Sequence, residues 1–517
     1  MGKREPTLED VVRQETGCKR QMWKGRAAHS KRALGKEPNM RQTMKRFTKL
    51  AAGYSSVTLL GPLLMLFLTP LYTRALEPAD YGVVDVALTL FALVGSFFVL
   101  SMDQALSAHF FDGNDTYQRN LFTTALTYVG AAGLLMTACM VIVATPLAQT
   151  LFKDPSRRYV VYLLSISTIA GATYSVTSTA LRLRMSVKHV NLLGLAFLLA
   201  TMMDNVLFVL VLRMKATGII AALTLTNLIA AGLALTLARD ILGGSFSRHL
   251  LGPLVRTAAS LLPGGISTLL LASADRLLLT QFVSPTDIGL YSIANKLASM
   301  MYVLSNAAWS AWWPMALEMA NEPDAPRQYA RMFEYFVAGS MLLSLAIGLF
   351  AADILSVFTR TVYVPAAPYA LVLLIYFGPI ASIFGFFQIG LYARKHTHWI
   401  SILYFTSATV NIVLNLVLNP IIGVWGAVWA TVIAGAILPL GAYLVGQRLL
   451  AVPYNLPRFF ALTGVYLGLI TAFLTVPVLN TLALKSGTLL AFALVILAAG
   501  VVSPDQLDIV HDQPIIG

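Results

Sequence analysis

The sequence predicts an all-α polytopic membrane protein of about fourteen transmembrane helices, arranged as two six-helix lobes in parallel repeat followed by two more helices. Three observations predict it. The 517 residues are 57% hydrophobic and only 12% charged, with a mean hydropathy of +0.72, far from the composition of soluble domains. Long stretches carry no charged residue at all. One motif near the first predicted helix also returns about 207 residues later.

The uncharged stretches are 50–73, 120–152, 159–181, 216–238, 257–274, 361–393 and 399–447. Each is long enough to cross a bilayer once, and the last crosses twice about the NPIIG turn at 419–423. Segments near 81–102, 190–212, 289–317, 335–357, 459–480 and 486–503 complete the set. The expected organisation is therefore a basic arm at 1–49, a first lobe at 50–240 and a linker at 241–253. A second lobe at 254–447, two additional helices at 448–503 and a tail at 504–517 follow. Of the 37 Lys and Arg residues, fourteen precede the first helix and thirteen more fall in loops on its side, against eight in the opposite loops. That bias places both termini in the cytoplasm of a plasma or inner membrane. The arm lacks apolar periodicity and a signal-peptide cleavage pattern.

TRALEPADYG at 73–82 aligns with TQFVSPTDIG at 280–289, keeping Thr, Pro, Asp and Gly. The offset recurs: Leu181 and Arg184 over Leu391 and Arg394, Asn205 over Asn411, and GIIAALTLT from Gly218 over GVWGAVWAT from Gly423. An even number of helices between copies makes the two lobes insert the same way up.

The most informative stretch is LLLASADRLLLTQFVSPTDIGLYSIANKLASM, 269–300, where two apolar runs carry charges and meet at a polar turn. Asp275, Arg276 and Lys296 lie on the order of 10 Å inside the bilayer boundary at ~1.5 Å per residue. An ionisable group at mid-membrane costs roughly 2.5 to 3.5 kcal/mol, so such a cluster needs partners or a watery cavity. One arrangement leaves Arg276 and Lys296 for an anionic ligand; the other pairs Asp275 with Lys296 and lets Arg276 snorkel outward. Asp204 and Asp85 are the candidates for a coupling cation, H+ or Na+; the alternative for Asp204 is a structural partner. Asn411, Asn415 and Asn419 form a stripe of the kind that glues helices together. Trp309, Trp312 and Trp313 fit an aromatic belt. Gly61, Pro62, Pro70, Pro263, Gly264 and Gly265 permit kinks in the first and seventh predicted helices.

Other chemistry finds no support. The net charge of +13 sits in a tail and short loops without a folded basic domain, which argues against nucleic acid. Cys18 and Cys139 make no disulfide framework, and the scattered His residues make no metal site. No catalytic constellation and no cofactor motif is present.

The two-lobe plan, TRALEPADYG, ADRLLLTQFVSPTDIGLYSIANKLA and GVWGAVWAT together resemble the polysaccharide-export branch of the MOP superfamily, and most closely its Wzx-type flippases of O-antigen and exopolysaccharide units. The likeness covers residues 45 to about 450 and extends to the last two helices only by count. It implies movement of an undecaprenyl-diphosphate-linked oligosaccharide from the cytoplasmic to the periplasmic leaflet, through a V-shaped cleft between two bundles, driven by cation-coupled alternating access. Membrane lipid and other polysaccharide-assembly proteins are the implied partners. Arg276 and Lys296 fit a diphosphate. A polymerase or lipid-linked-sugar transferase is expected to need a sizeable outer loop, whereas the longest, near 147–158, is short. A multidrug exporter of the same superfamily is expected to rely on acidic groups in the cleft, whereas this hairpin brings two basic ones.

Overall fold

The computed structural model describes residues 68–501, apart from 185, 320, 321, 395 and 397. The arm, most of the first predicted helix and the tail lie outside the described residues. The described chain is helical throughout, and eleven helices are long and apolar enough to span a membrane. These are α1 (Pro78–His109), α2 (Asp115–Phe152), α3 (Pro155–Leu183), α4 (Lys188–Val211), α5 (Lys215–Leu237) and α6 (Arg248–Leu279). After α7, Pro285–Glu318, come α8 (Ala325–Leu349), α9 (Thr361–Ala393), α10 (His398–Ile422), α11 (Val424–Leu449) and α12 (Leu456–Thr475). The 34-residue α7 and the shorter apolar α13, Leu482–Ala498, occupy the two remaining predicted segments.

Local chemistry sets the boundaries. α1 and α7 both begin with proline, whose fixed φ suits a first helical turn and whose missing N–H is an orphan there anyway. The Asn114 side chain accepts from the Tyr117 amide at the start of α2. In the short α2–α3 loop, hydrogen bonds from Ser156 hold the Asp154 carboxyl below its usual range. The NPIIG turn between α10 and α11 turns on Gly423, whose φ of +58° is strained for any other residue type. The equivalent turn of the first half uses Arg213 and Lys215 at positive φ instead. α1 breaks at Leu100, and single π turns interrupt α4 at Val206–Val211 and α9 at Tyr376–Ile380, the second around Pro379.

The repeat motif organises the core. α1 packs along α7, and the aligned glycines Gly82 and Gly289 sit at the crossing. A Cβ on Gly289 would overlap the Pro78 carbonyl oxygen, and one on Gly82 would overlap the Pro285 carbonyl oxygen. The contact is therefore reciprocal, as a two-fold relation requires. Because both glycines lie one turn into their helices, α1 and α7 start at the same face and run the same way, which is the parallel repeat read from the sequence.

α6 reaches across the halves, packing on α1 and on α10. The asparagine stripe of α10 is buried, with Asn415 Nδ2 donating to Asn411 O at 2.9 Å and Asn419 Nδ2 to Asn415 Oδ1 at 3.0 Å. These hydrogen bonds run along α10 itself, from each asparagine to the one a turn before it. Of the tryptophans, Trp309 and Trp312 both pack on Phe386 and Trp313 on the exposed Tyr392; Trp312 is buried, whereas Trp309 and Trp313 are half-buried.

α12 and α13 dock on α8, and α13 also reaches, through Lys485, the short helix Ala351–Phe358 that follows α8. Arg458 NH1 lies 2.8 Å from Glu334, the Tyr466 and Ser344 hydroxyls are 2.9 Å apart, and the buried Lys485 lies 2.5 Å from Asp353. These polar contacts give the unrepeated pair of helices a fixed seat.

Candidate functional site

Three residues beyond each crossing glycine, on the same helical face, come Asp85 and Ser292. Ser292 Oγ donates to Asp85 Oδ2 at 2.6 Å, and the two residues are 207 positions apart, the repeat offset itself. Asp85 thus bonds to its own repeat counterpart. α6 delivers Arg276 to the same carboxylate, with Nε 2.5 Å from Asp85 Oδ2 though its N–H is not aimed along that contact. The guanidinium also donates through NH1 to the Ala272 carbonyl of its own helix, 3.1 Å away.

Lys296, one turn beyond Ser292, turns to α1, where its ammonium donates to the Tyr81 hydroxyl at 2.6 Å. It lies 5.2 Å from the Tyr81 ring centroid and 5.9 Å from that of Tyr72. Aromatic faces partly replace lost water around a cation. Among the described residues no carboxylate lies within ion-pair distance of Lys296.

Asp275 is buried and does not pair with Lys296. It accepts from the Tyr291 hydroxyl and, at 3.0 Å, from the Arg276 backbone amide. The reason is azimuth: Tyr291 and Lys296 are five residues apart, about 140° around a helix of 3.6 residues per turn, so the same α7 cannot offer both to Asp275. Arg276 likewise does not snorkel outward but turns inward to Asp85.

Asp204 stands apart, buried, accepting from the Thr226 hydroxyl at 2.7 Å. Its neighbour Asn205 accepts from the Tyr72 hydroxyl at 2.7 Å, and Tyr72 is the ring beneath Lys296. Sequence reasoning missed Tyr72, Tyr81, Tyr291 and Ser292. The spacing of Tyr81 from Gly82 and of Asp85 from its counterpart Ser292 was the available signal.

The site is thus two cations and two carboxylates at the crossing of α1, α6 and α7, within apolar helices, with the hydroxyls of Tyr81, Tyr291 and Ser292 bonded to them. A guanidinium fork beside an ammonium is suited to phosphate oxygens.

The fold is that of a multi-pass membrane protein. It is similar to the lipid II flippase MurJ in an inward closed conformation, with a TM-score of 0.65, 13% identity, and coverage of 86% of this chain and 97% of that one. It is also similar to an inward-facing multidrug resistance MATE family transporter of the MOP superfamily, with a TM-score of 0.56, 13% identity, and coverage of 75% and 94%. A MATE structure in a bent conformation gives a TM-score of 0.51 at 14% identity, covering 80% of this chain and 95% of that one. Identities this low speak for the fold. Residues 71–366 match the sequence profile of the family described as polysaccharide biosynthesis protein, and the chain belongs to that family. No curated protein matches it by sequence.

Proposed function

We propose that the chain is a flippase that moves an undecaprenyl-diphosphate-linked oligosaccharide across the inner membrane, with both termini in the cytoplasm, for O-antigen or exopolysaccharide assembly. The observation that carries this reading is Lys296: an ammonium held among apolar helices by a phenol and two rings, beside Arg276, with no carboxylate of its own among the described residues. A diphosphate supplies the missing anion while the polyprenyl tail stays in lipid and the glycan stays in a polar path. Asp85 is the internal anion that Arg276 exchanges for the diphosphate. A cation on Asp85, H+ or Na+, frees the guanidinium, which links ion binding to substrate binding. The reciprocal crossing of α1 and α7 is the place about which the halves rock between inward and outward states.

The test uses the full chain in proteoliposomes loaded with undecaprenyl-diphosphate oligosaccharide extracted from cells that lack the chain, and follows its exposure to an added glycosidase. Protein-dependent movement of intact lipid between leaflets is expected. Lengthened glycans would make the chain a polymerase. Efflux of a cationic dye without lipid movement would make it a drug exporter.

Asp204 enters the same scheme as the second cation-coupling carboxylate. Asp204→Asn keeps an acceptor for the Thr226 hydroxyl, so the folded protein is retained, and ion-gradient-driven transport is expected to be lost. Gradient-driven transport at the wild-type rate would leave Asp204 a packing residue.

A further inference from the structure

A cavity of about 340 Å³ opens between α1, α3 and α5, at the small end of the range of ligand sites. None of its lining residues is charged. α1 contributes Leu88, Ala92, Ser96 and Val99, a helical stripe that continues the face of Asp85 one turn on. The cavity therefore begins one helical turn along α1 from Asp85, and its walls come from α1, α3 and α5.

We infer that this cavity is a glycan subsite, taking an uncharged sugar ring of the oligosaccharide whose diphosphate the cluster holds. The inference rests on the flippase reading and adds to it where the sugar goes. Asn227 on α5 is the residue that distinguishes one sugar from another. Its Nδ2 donates to Ser167 Oγ at 2.8 Å, which fixes the amide plane, and among the described residues its Oδ1 has no partner. The Ser96 and Thr168 hydroxyls donate to the Ala92 and Leu164 carbonyls of their own helices, so with Asn227 Oδ1 they form a row of acceptors for the hydroxyl protons of a sugar edge. The buried ring of Phe91 supplies an apolar wall for a sugar's C–H face. Gly171 opposite Asn227 leaves the room: a Cβ there would meet the amide only at ordinary contact distance, 3.5 Å from Nδ2.

The test compares two probes on the full chain in lipid nanodiscs: undecaprenyl diphosphate without sugar, and the extracted undecaprenyl-diphosphate oligosaccharide. Wild type is expected to bind the sugar-bearing lipid at least about tenfold more tightly, the size of one or two good hydrogen bonds. Asn227→Leu removes the amide, and Gly171→Leu fills the cavity while keeping the amide in the chain. Both are expected to erase the preference while binding sugar-free undecaprenyl diphosphate as wild type does. A wild-type preference that survives in whichever variant folds would overturn the subsite, as would equal binding of both probes by wild type. Failure of wild type to bind either probe would instead bring down the flippase reading on which the subsite depends.

Discussion

Gly289→Ala is expected to strip the membrane of folded protein, although it adds a single methyl group. The new Cβ would overlap the carbonyl oxygen of Pro78, and a backbone atom at the start of a helix cannot rotate aside as a side chain can. α1 and α7 must then separate along their whole contact, which undoes the packing of both repeat halves. Overpacking of a core typically costs ~1–3 kcal/mol and more where nothing gives. Gly82→Ala should behave alike, since its Cβ would overlap the Pro285 carbonyl oxygen and lie 2.9 Å from the Gly289 amide nitrogen. The control is Gly264→Ala in α6, where a Cβ would meet nothing within 4 Å. Size-exclusion profiles and thermal unfolding of detergent-solubilised protein read the difference. Wild-type yield and unfolding temperature for Gly289→Ala would mean that the crossing is loose and that the reciprocal contact does not hold the halves together.

That crossing shows what the sequence can and cannot carry. Pro78, Asp80 and Gly82 over Pro285, Asp287 and Gly289 were legible because backbone geometry demands those residue types, and the offset alone implied two helices running the same way. The distance of Asp275, Arg276 and Lys296 from the polar turn was legible too, since rise per residue fixes it. Their partners were not. Pairing across helices depends on azimuth and on which third helix intervenes, and here α1 inserts Asp85 and Tyr81 between groups that look matched on a two-helix hairpin. Phenols hide for a different reason: in an apolar motif a tyrosine reads as another large ring, and its hydroxyl matters only once a charge is found beside it.

Loss of transport without loss of folding is expected for Lys296→Gln, and loss of both for Arg276→Ala. The two cations differ in what they leave behind. Removing Arg276 leaves the half-buried Asp85 with the Ser292 hydroxyl as its hydrogen-bond donor among the described residues, and breaking such a pair costs up to about 3 kcal/mol, the lower end for a fully buried one. Removing the charge of Lys296 strands no carboxylate, since its protein partners are Tyr81 and two ring faces. If both hold the diphosphate, each single change should slow lipid movement to below about a hundredth of wild type, corresponding to charge-assisted contacts worth roughly 3 kcal/mol. The double change Arg276→Gln with Asp85→Asn then separates the roles in one cycle: it removes the stranded charge, so thermal stability should return while transport stays lost. Arg276→Lys should keep stability and only part of the rate, because a point charge replaces a two-pronged fork. Restored transport by the neutral double variant would reduce Arg276 and Asp85 to a structural pair, and Lys296→Gln moving lipid at the wild-type rate would remove the last cation from the substrate site.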